Sequence, residues 1–137
     1  MSLTTALTTP ANSITEAMDM RKSLDFSALR NANVVRCNAV YHHVQTWSPT
    51  DWATAMAGEC GEACNVVKKI RRLSDGPDKA YNANADPAKL SLDLAAELAD
   101  LVIYTDLLAE RCGIDLGEAV RAKFNVVSDR VGSDIKL

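Results

Sequence analysis

GECGEACNVVKK, residues 58–69, is the stretch that decides how this chain folds. It lies within a run of helical pattern, so Gly58 and Gly61 fall inside a helix. Each mid-helix glycine costs about 1 kcal/mol relative to alanine, in a domain whose whole stability is roughly 5–15 kcal/mol. Beside them stand Glu59 and Glu62, spaced i, i+3, so both carboxylates leave one face of the helix. Ala55, Ala57, Cys60, Ala63 and Cys64 are small, and small residues let another helix approach closely. Close approach is what the two glycines are expected to supply.

A second acidic pair with the same spacing, Glu97 and Asp100, lies in LSLDLAAELADLVIYTDLLAE, residues 90–110. Most other stripes of that helix are apolar, and Asp93, Glu97, Asp100 and Tyr104 form its main polar stripe. Such a stripe also fits a helix that simply faces water. If the two helices pack side by side, however, four carboxylates converge, and like charges within several Å repel and force some groups to protonate. A divalent cation removes that repulsion. All-oxygen ligation suits Mg²⁺, Ca²⁺ or Mn²⁺ rather than zinc. A di-iron bundle would carry Glu-x-x-His, but His42 and His43 both precede the acidic helices. Mg²⁺ is the first choice because it keeps water and phosphate oxygens in its shell.

Outward from these pairs the chain is read as all-α, with four main helices. Residues 1–22 are Thr- and Ser-rich and read as a loose N-terminal arm, leaving 23–137 as the helical domain. Helical spacing predicts a first helix from Leu24 to about Thr46. Ser48, Pro49 and Asp51 supply a cap, a first-turn proline and a carboxylate for a second helix, which runs to about Arg72 before Asp75-Gly76-Pro77. Residues 74–90 form a long polar connection, a lid or a disordered link. A third helix covers about Pro87 to Cys112, ended by Gly113. Asp115 and Glu118 start a fourth, which reaches Val131 before Gly132.

Composition narrows the class. The 137 residues are 47% hydrophobic and 24% charged, the ordinary balance of a single globular domain. A net charge of −3 argues against a nucleic-acid polymer as partner, and no apolar run reaches the length of a membrane span. The N-terminus lacks the basic-then-apolar layout of a signal peptide. Cys37, Cys60, Cys64 and Cys112 show neither CxxC nor zinc spacing. They are expected to be reduced thiols of a cytoplasmic protein, with Cys60 and Cys64 as small core residues.

AGECGEACNVVKK followed by AAELADLVIY resembles the ExxE…ExxD signature of the MazG-like, all-α nucleoside triphosphate pyrophosphohydrolases. WSPTDW before it and KFN after it fit the same pattern, and the resemblance covers roughly residues 25–131. It implies Mg²⁺-dependent hydrolysis of a (deoxy)nucleoside triphosphate to the monophosphate and pyrophosphate, in bundles that assemble as dimers or tetramers. Carried over by position, Glu59, Glu62, Glu97 and Asp100 would be the metal ligands and catalytic carboxylates. The interval between Glu62 and Glu97 is longer than is usual in the family.

A triphosphate also needs cations and a base pocket. Lys123 and Arg130 fall on one face of the fourth helix and are candidates to hold phosphates, with Asn125 beside them. The run Lys68, Lys69, Arg71, Arg72 compensates a negative helix end, Lys69 being the candidate exception because it sits near the face of Glu62. Trp52 is expected in the core. Tyr41, His42, His43, Trp47 and Trp52 cluster around the turn between the first two helices; Trp47 is a candidate to stack on the base, or else a staple that packs the helix entry, and His42 and His43 are candidate base or phosphate contacts or else exposed. Rival readings are a phosphoribosyl-ATP pyrophosphohydrolase and a non-catalytic helical oligomer with a regulatory metal or nucleotide site.

Overall fold

The computed structural model describes residues 24–76 and 86–137. The expected N-terminal arm and the middle of the 74–90 connection lie outside the described residues. Those that are described form four α-helices and no strand: α1 (Phe26–Arg36), α2 (Pro49–Leu73), α3 (Pro87–Arg111) and α4 (Leu116–Val131). A π-helical turn, Cys37–Tyr41, follows α1 directly.

The helix boundaries follow local chemistry. Ser48 accepts a hydrogen bond from the Asp51 backbone N–H while the Asp51 carboxylate accepts one from the Ser48 N–H, a reciprocal capping box with Pro49 in the first turn. Asp86 caps α3 through Ala88 N–H ahead of Pro87, and Asp115 caps α4 through Glu118 N–H. Gly113 (φ +67°) and Gly132 (φ +70°) take the left-handed conformation that ends α3 and α4 at low steric cost.

The predicted first helix, Leu24 to about Thr46, runs too far at its C-terminal end. α1 stops at Arg36, and the chain leaves the π turn at His42 in extended conformation. The cause is tertiary. Trp52 Nε1 donates to Val44 O at 3.0 Å and Asn38 Oδ1 accepts from Val44 N–H at 2.8 Å, so Val44 is held down in the core instead of continuing a helix.

α2 and α3 pack along their length, and α1 packs antiparallel on the C-terminal half of α3, Arg30 reaching Glu110 and Asn33 reaching Ile103. Trp52 faces Tyr104 while Glu62 approaches Glu97, so the two long helices run antiparallel. The core gathers Cys37, Val44, Trp52 and Leu107 where the end of α1 meets the α2–α3 pair, with Trp47, Tyr104 and Leu108 packed around it. Trp52 is buried as expected.

Two expectations about small residues are corrected. Cys60 and Cys64 are exposed, and the buried thiol is Cys37, because α2 turns Ala63 and Val66 toward α3 and leaves the cysteines on its outer side. Gly58 and Gly61 do not serve the α2–α3 approach either: a Cβ built on each meets nothing within 4 Å.

A polar network fastens α1 to α3. Asp106, only 1% exposed, takes Arg30 Nε at 2.8 Å and Asn33 Nδ2 at 3.1 Å. Arg30 also reaches Glu110 at 2.8 Å, and Asn33 donates to the Ile103 carbonyl at 2.9 Å. Buried polar groups linked this way specify one seating of α1.

Candidate active site

Helical spacing brings each acidic pair to one face, and the antiparallel packing of α2 on α3 turns the two faces toward each other. One carboxylate oxygen from each of Glu59, Glu62 and Glu97 lies within 4.8 Å of the others. Asp100 stands outside this trio, yet its charge reaches it. The Glu59 carboxyl is held above the usual carboxylate range by partial burial, then by the negative charges of Asp100, Glu62 and Glu97. Asp93, four residues before Glu97 on the same stripe, is not one of the trio and pairs with Lys89 at 2.7 Å. The converging donors are all oxygens, so the trio fits a hard divalent cation.

Next to the acids lies a cavity of about 340 Å³ between the end of α1, the π turn and α3. Its walls are aromatic: Trp47 lies 4.8 Å from His42 and 4.7 Å from Trp52, ring centre to ring centre, and Tyr104 completes the set. Arg36 and Asp100 supply its charged edges. Tyr104 belongs to both regions. Its hydroxyl is pushed up by burial, then by Glu59, Asp100 and Tyr41, against the opposing pull of Arg36.

The remaining candidates fall in different places. Trp47 is half-buried and lines the cavity, with its carbonyl held by Arg111 Nε at 2.8 Å. His43 is exposed and its Nδ1 accepts from Gln45 N–H, whereas His42 is the histidine that lines the cavity. Lys69 is exposed on α2. Lys123 and Arg130 are exposed on α4, which packs on α1 rather than on the acidic helices. Asn125 brackets the backbone of Leu137, accepting its N–H at 2.9 Å and donating to its carbonyl at 3.2 Å. A larger hollow, about 500 Å³, opens between the starts of α1 and α4, but Asp25, Asp115 and Glu118 rim it with negative charge unsuited to a phosphate.

The chain is similar to dCTP pyrophosphatase 1 of Mus musculus. The two are 29% identical over 102 residues, a match that covers 72% of this chain and 56% of the relative. The chain thus spans about half the length of that protein. No protein-family model matches the chain. No helix among the described residues is long and apolar enough to cross a membrane.

Of the cavity's residues, Tyr41, His42, Trp47 and Trp52 belong to the cluster that sequence places around the turn between the first two helices; Arg36 was missed, because the π turn that brings it to them has no periodic signature.

The raised Glu59 carboxyl has a measurable consequence. Between the usual carboxylate range and the raised value, the folded protein binds more protons than the unfolded chain, so stability falls as pH rises through that window. Metal-free protein is expected to gain melting temperature as pH falls toward the usual carboxylate range, and Glu62→Gln should flatten that slope. Asp51 acts oppositely and at lower pH. Its carboxyl is held down by the Ser48 side chain and backbone, so its contribution is lost as pH falls through the depressed value. Thermal melts across pH check both, and a slope the same in wild type and Glu62→Gln would contradict the first.

Proposed function

We propose that this chain is a metal-dependent nucleoside triphosphate pyrophosphohydrolase acting in nucleotide-pool sanitation or turnover in the cytoplasm. The observation that carries the reading is the juxtaposition of converging carboxylates from α2 and α3 with an aromatic cavity that shares Asp100 and Tyr104. Similarity to a protein named for dCTP pyrophosphatase activity supports it.

Glu59, Glu62, Glu97 and Asp100 would hold Mg²⁺, with Mn²⁺ as the alternative. Bound there, the ion neutralises phosphate oxygens and acidifies a water. Water oxygen bonds to the α-phosphorus as the bridge to the β-phosphate breaks, so the products are the monophosphate and pyrophosphate. A carboxylate of the cluster takes the proton released by the water. The aromatic walls grip the base, which fixes the α-phosphate over the acids. A panel of canonical and modified NTPs and dNTPs with Mg²⁺, scored for pyrophosphate release, tests the reading; no turnover of any of them overturns it.

Trp47→Ala should raise KM tenfold or more, since a base–aromatic stack is worth about 1–3 kcal/mol. Unchanged kinetics with a lowered melting temperature would make Trp47 a packing residue only.

Self-association belongs to the same proposal. Leu92, Leu98 and Val102 on α3 and Phe124 and Val131 on α4 are exposed and are the apolar surface that copies would cover. Burying it between copies would also bring Lys123 and Arg130 of one protomer toward a neighbour. Sedimentation at micromolar concentration is expected to show a dimer or tetramer, and a fully active monomer would refute it.

A further inference from the structure

The geometry points to Arg36 as the residue that selects the base, its guanidinium reading a base edge with two adjacent acceptors, as cytosine (O2, N3) and guanine (O6, N7) have. Thymine, uracil and adenine alternate donor and acceptor and offer no such edge. The inference rests on the nucleotide reading above.

Order along α3 sets where each part of a nucleotide lies. Glu97, Asp100 and Tyr104 sit on successive turns, and Glu97 to Tyr104 spans about 10 Å at 1.5 Å per residue. The acids mark the phosphate end, so the aromatic slot beyond Tyr104 is the base end. Arg36 stands on the wall of that slot and forms no ion pair with Glu59, Glu62, Glu97 or Asp100. Its charge is nonetheless felt by Tyr104, opposite to that of Glu59 and Asp100.

The guanidinium is also held. Arg36 Nη2 donates to Asn33 Oδ1 at 3.3 Å. The Asn33 amide has one orientation available, because its Nδ2 is committed to Ile103 O and to Asp106 Oδ2. Asp106 is in turn fixed by Arg30. Arg36 itself is exposed, anchored from behind by this one bond to the buried Asn33, which leaves its other N–H donors for a ligand. Arginine presents paired donors in a rigid fork that lysine lacks, and a bidentate fork on adjacent base acceptors discriminates strongly against the wrong base.

The test compares wild type, Arg36→Lys and Arg36→Gln on dCTP, dGTP, dTTP and dATP with Mg²⁺, and on dCMP, dGMP and dTMP binding by calorimetry without metal. Wild type is expected to favour cytosine or guanine, and the dCTP and dGTP arms tell which. In Arg36→Lys, which keeps the charge and loses the fork, the ratio of kcat/KM for the favoured base to that for thymine should collapse about 10- to 100-fold. Monophosphate binding should lose the same preference. An equal loss on all four triphosphates would make Arg36 a phosphate contact and overturn the inference, as would an unchanged ratio in both variants. Wild type that hydrolyses no triphosphate defeats the hydrolase reading alone, if monophosphate binding still shows a base preference that Arg36→Lys abolishes.

Discussion

Asp100→Asn and Glu62→Gln are expected to reduce turnover by orders of magnitude while leaving the metal-free protein as stable as wild type or more so. The two effects have one origin. Glu59, Glu62 and Glu97 bring carboxylate oxygens within 4.8 Å, and the charges of Glu62, Glu97 and Asp100 all oppose ionisation of Glu59. Removing one charge relieves that repulsion in the empty site. It also removes a donor, so the rise in melting temperature on adding millimolar Mg²⁺ should shrink, since a ligand stabilises the native state only as far as it binds it. An acidic face that merely met water would behave otherwise: the same substitutions would move stability by within about 0.5 kcal/mol, with no response to Mg²⁺. Wild-type protein whose melting temperature ignores Mg²⁺, with and without nucleotide, would sink the metal site.

The largest loss of stability is expected from Asp106→Ala. Asp106 is buried and accepts from both Arg30 and Asn33. Truncation takes one acceptor from the Arg30 guanidinium and one from the Asn33 amide, and breaking a buried pair from one side costs about 3–5 kcal/mol. Arg30 keeps its contact with Glu110, which favours the lower figure. About 3 kcal/mol corresponds to a fall of roughly 10 °C in melting temperature at this chain length. Removing both partners, Arg30→Met with Asp106→Leu, should recover much of the loss, because no charge is left buried alone. A urea titration measures both variants; a loss below about 0.5 kcal/mol for Asp106→Ala would show that the network contributes little.

Much of the helical layout was legible because its signals are local. Ser48-Pro49, Asp86-Pro87 and Asp115 start helices, and Gly113 and Gly132 end them, whatever the rest of the chain does. The acidic pairs were legible for the same reason, since i, i+3 spacing alone sets a shared face. What escaped depends on residues far apart in the chain. The end of α1 follows from Trp52 holding Val44, and no helical pattern around residues 37–46 announces it. Small size marked Cys60 and Cys64 as able to be buried, but their side of α2 is decided by where α3 lies. Asp106 belonged to an apolar-looking run and carried no hint that Arg30 would reach it.

The π turn gives the pocket a peculiar dependence on chain length. His42 N–H closes onto Cys37 O at 3.1 Å, one residue wider than an α-helical ring. Losing a single codon within 37–41 would close the wide ring to α-helical width and move each residue after it into its neighbour's place along the wall. Tyr41 and His42 would then leave their own places on the wall they share with Trp47, while the acids of α2 and α3 stayed where they are. Insertion and deletion, more than substitution, is thus the genetic event by which descendants of this chain would keep the carboxylates and lose the slot beside them.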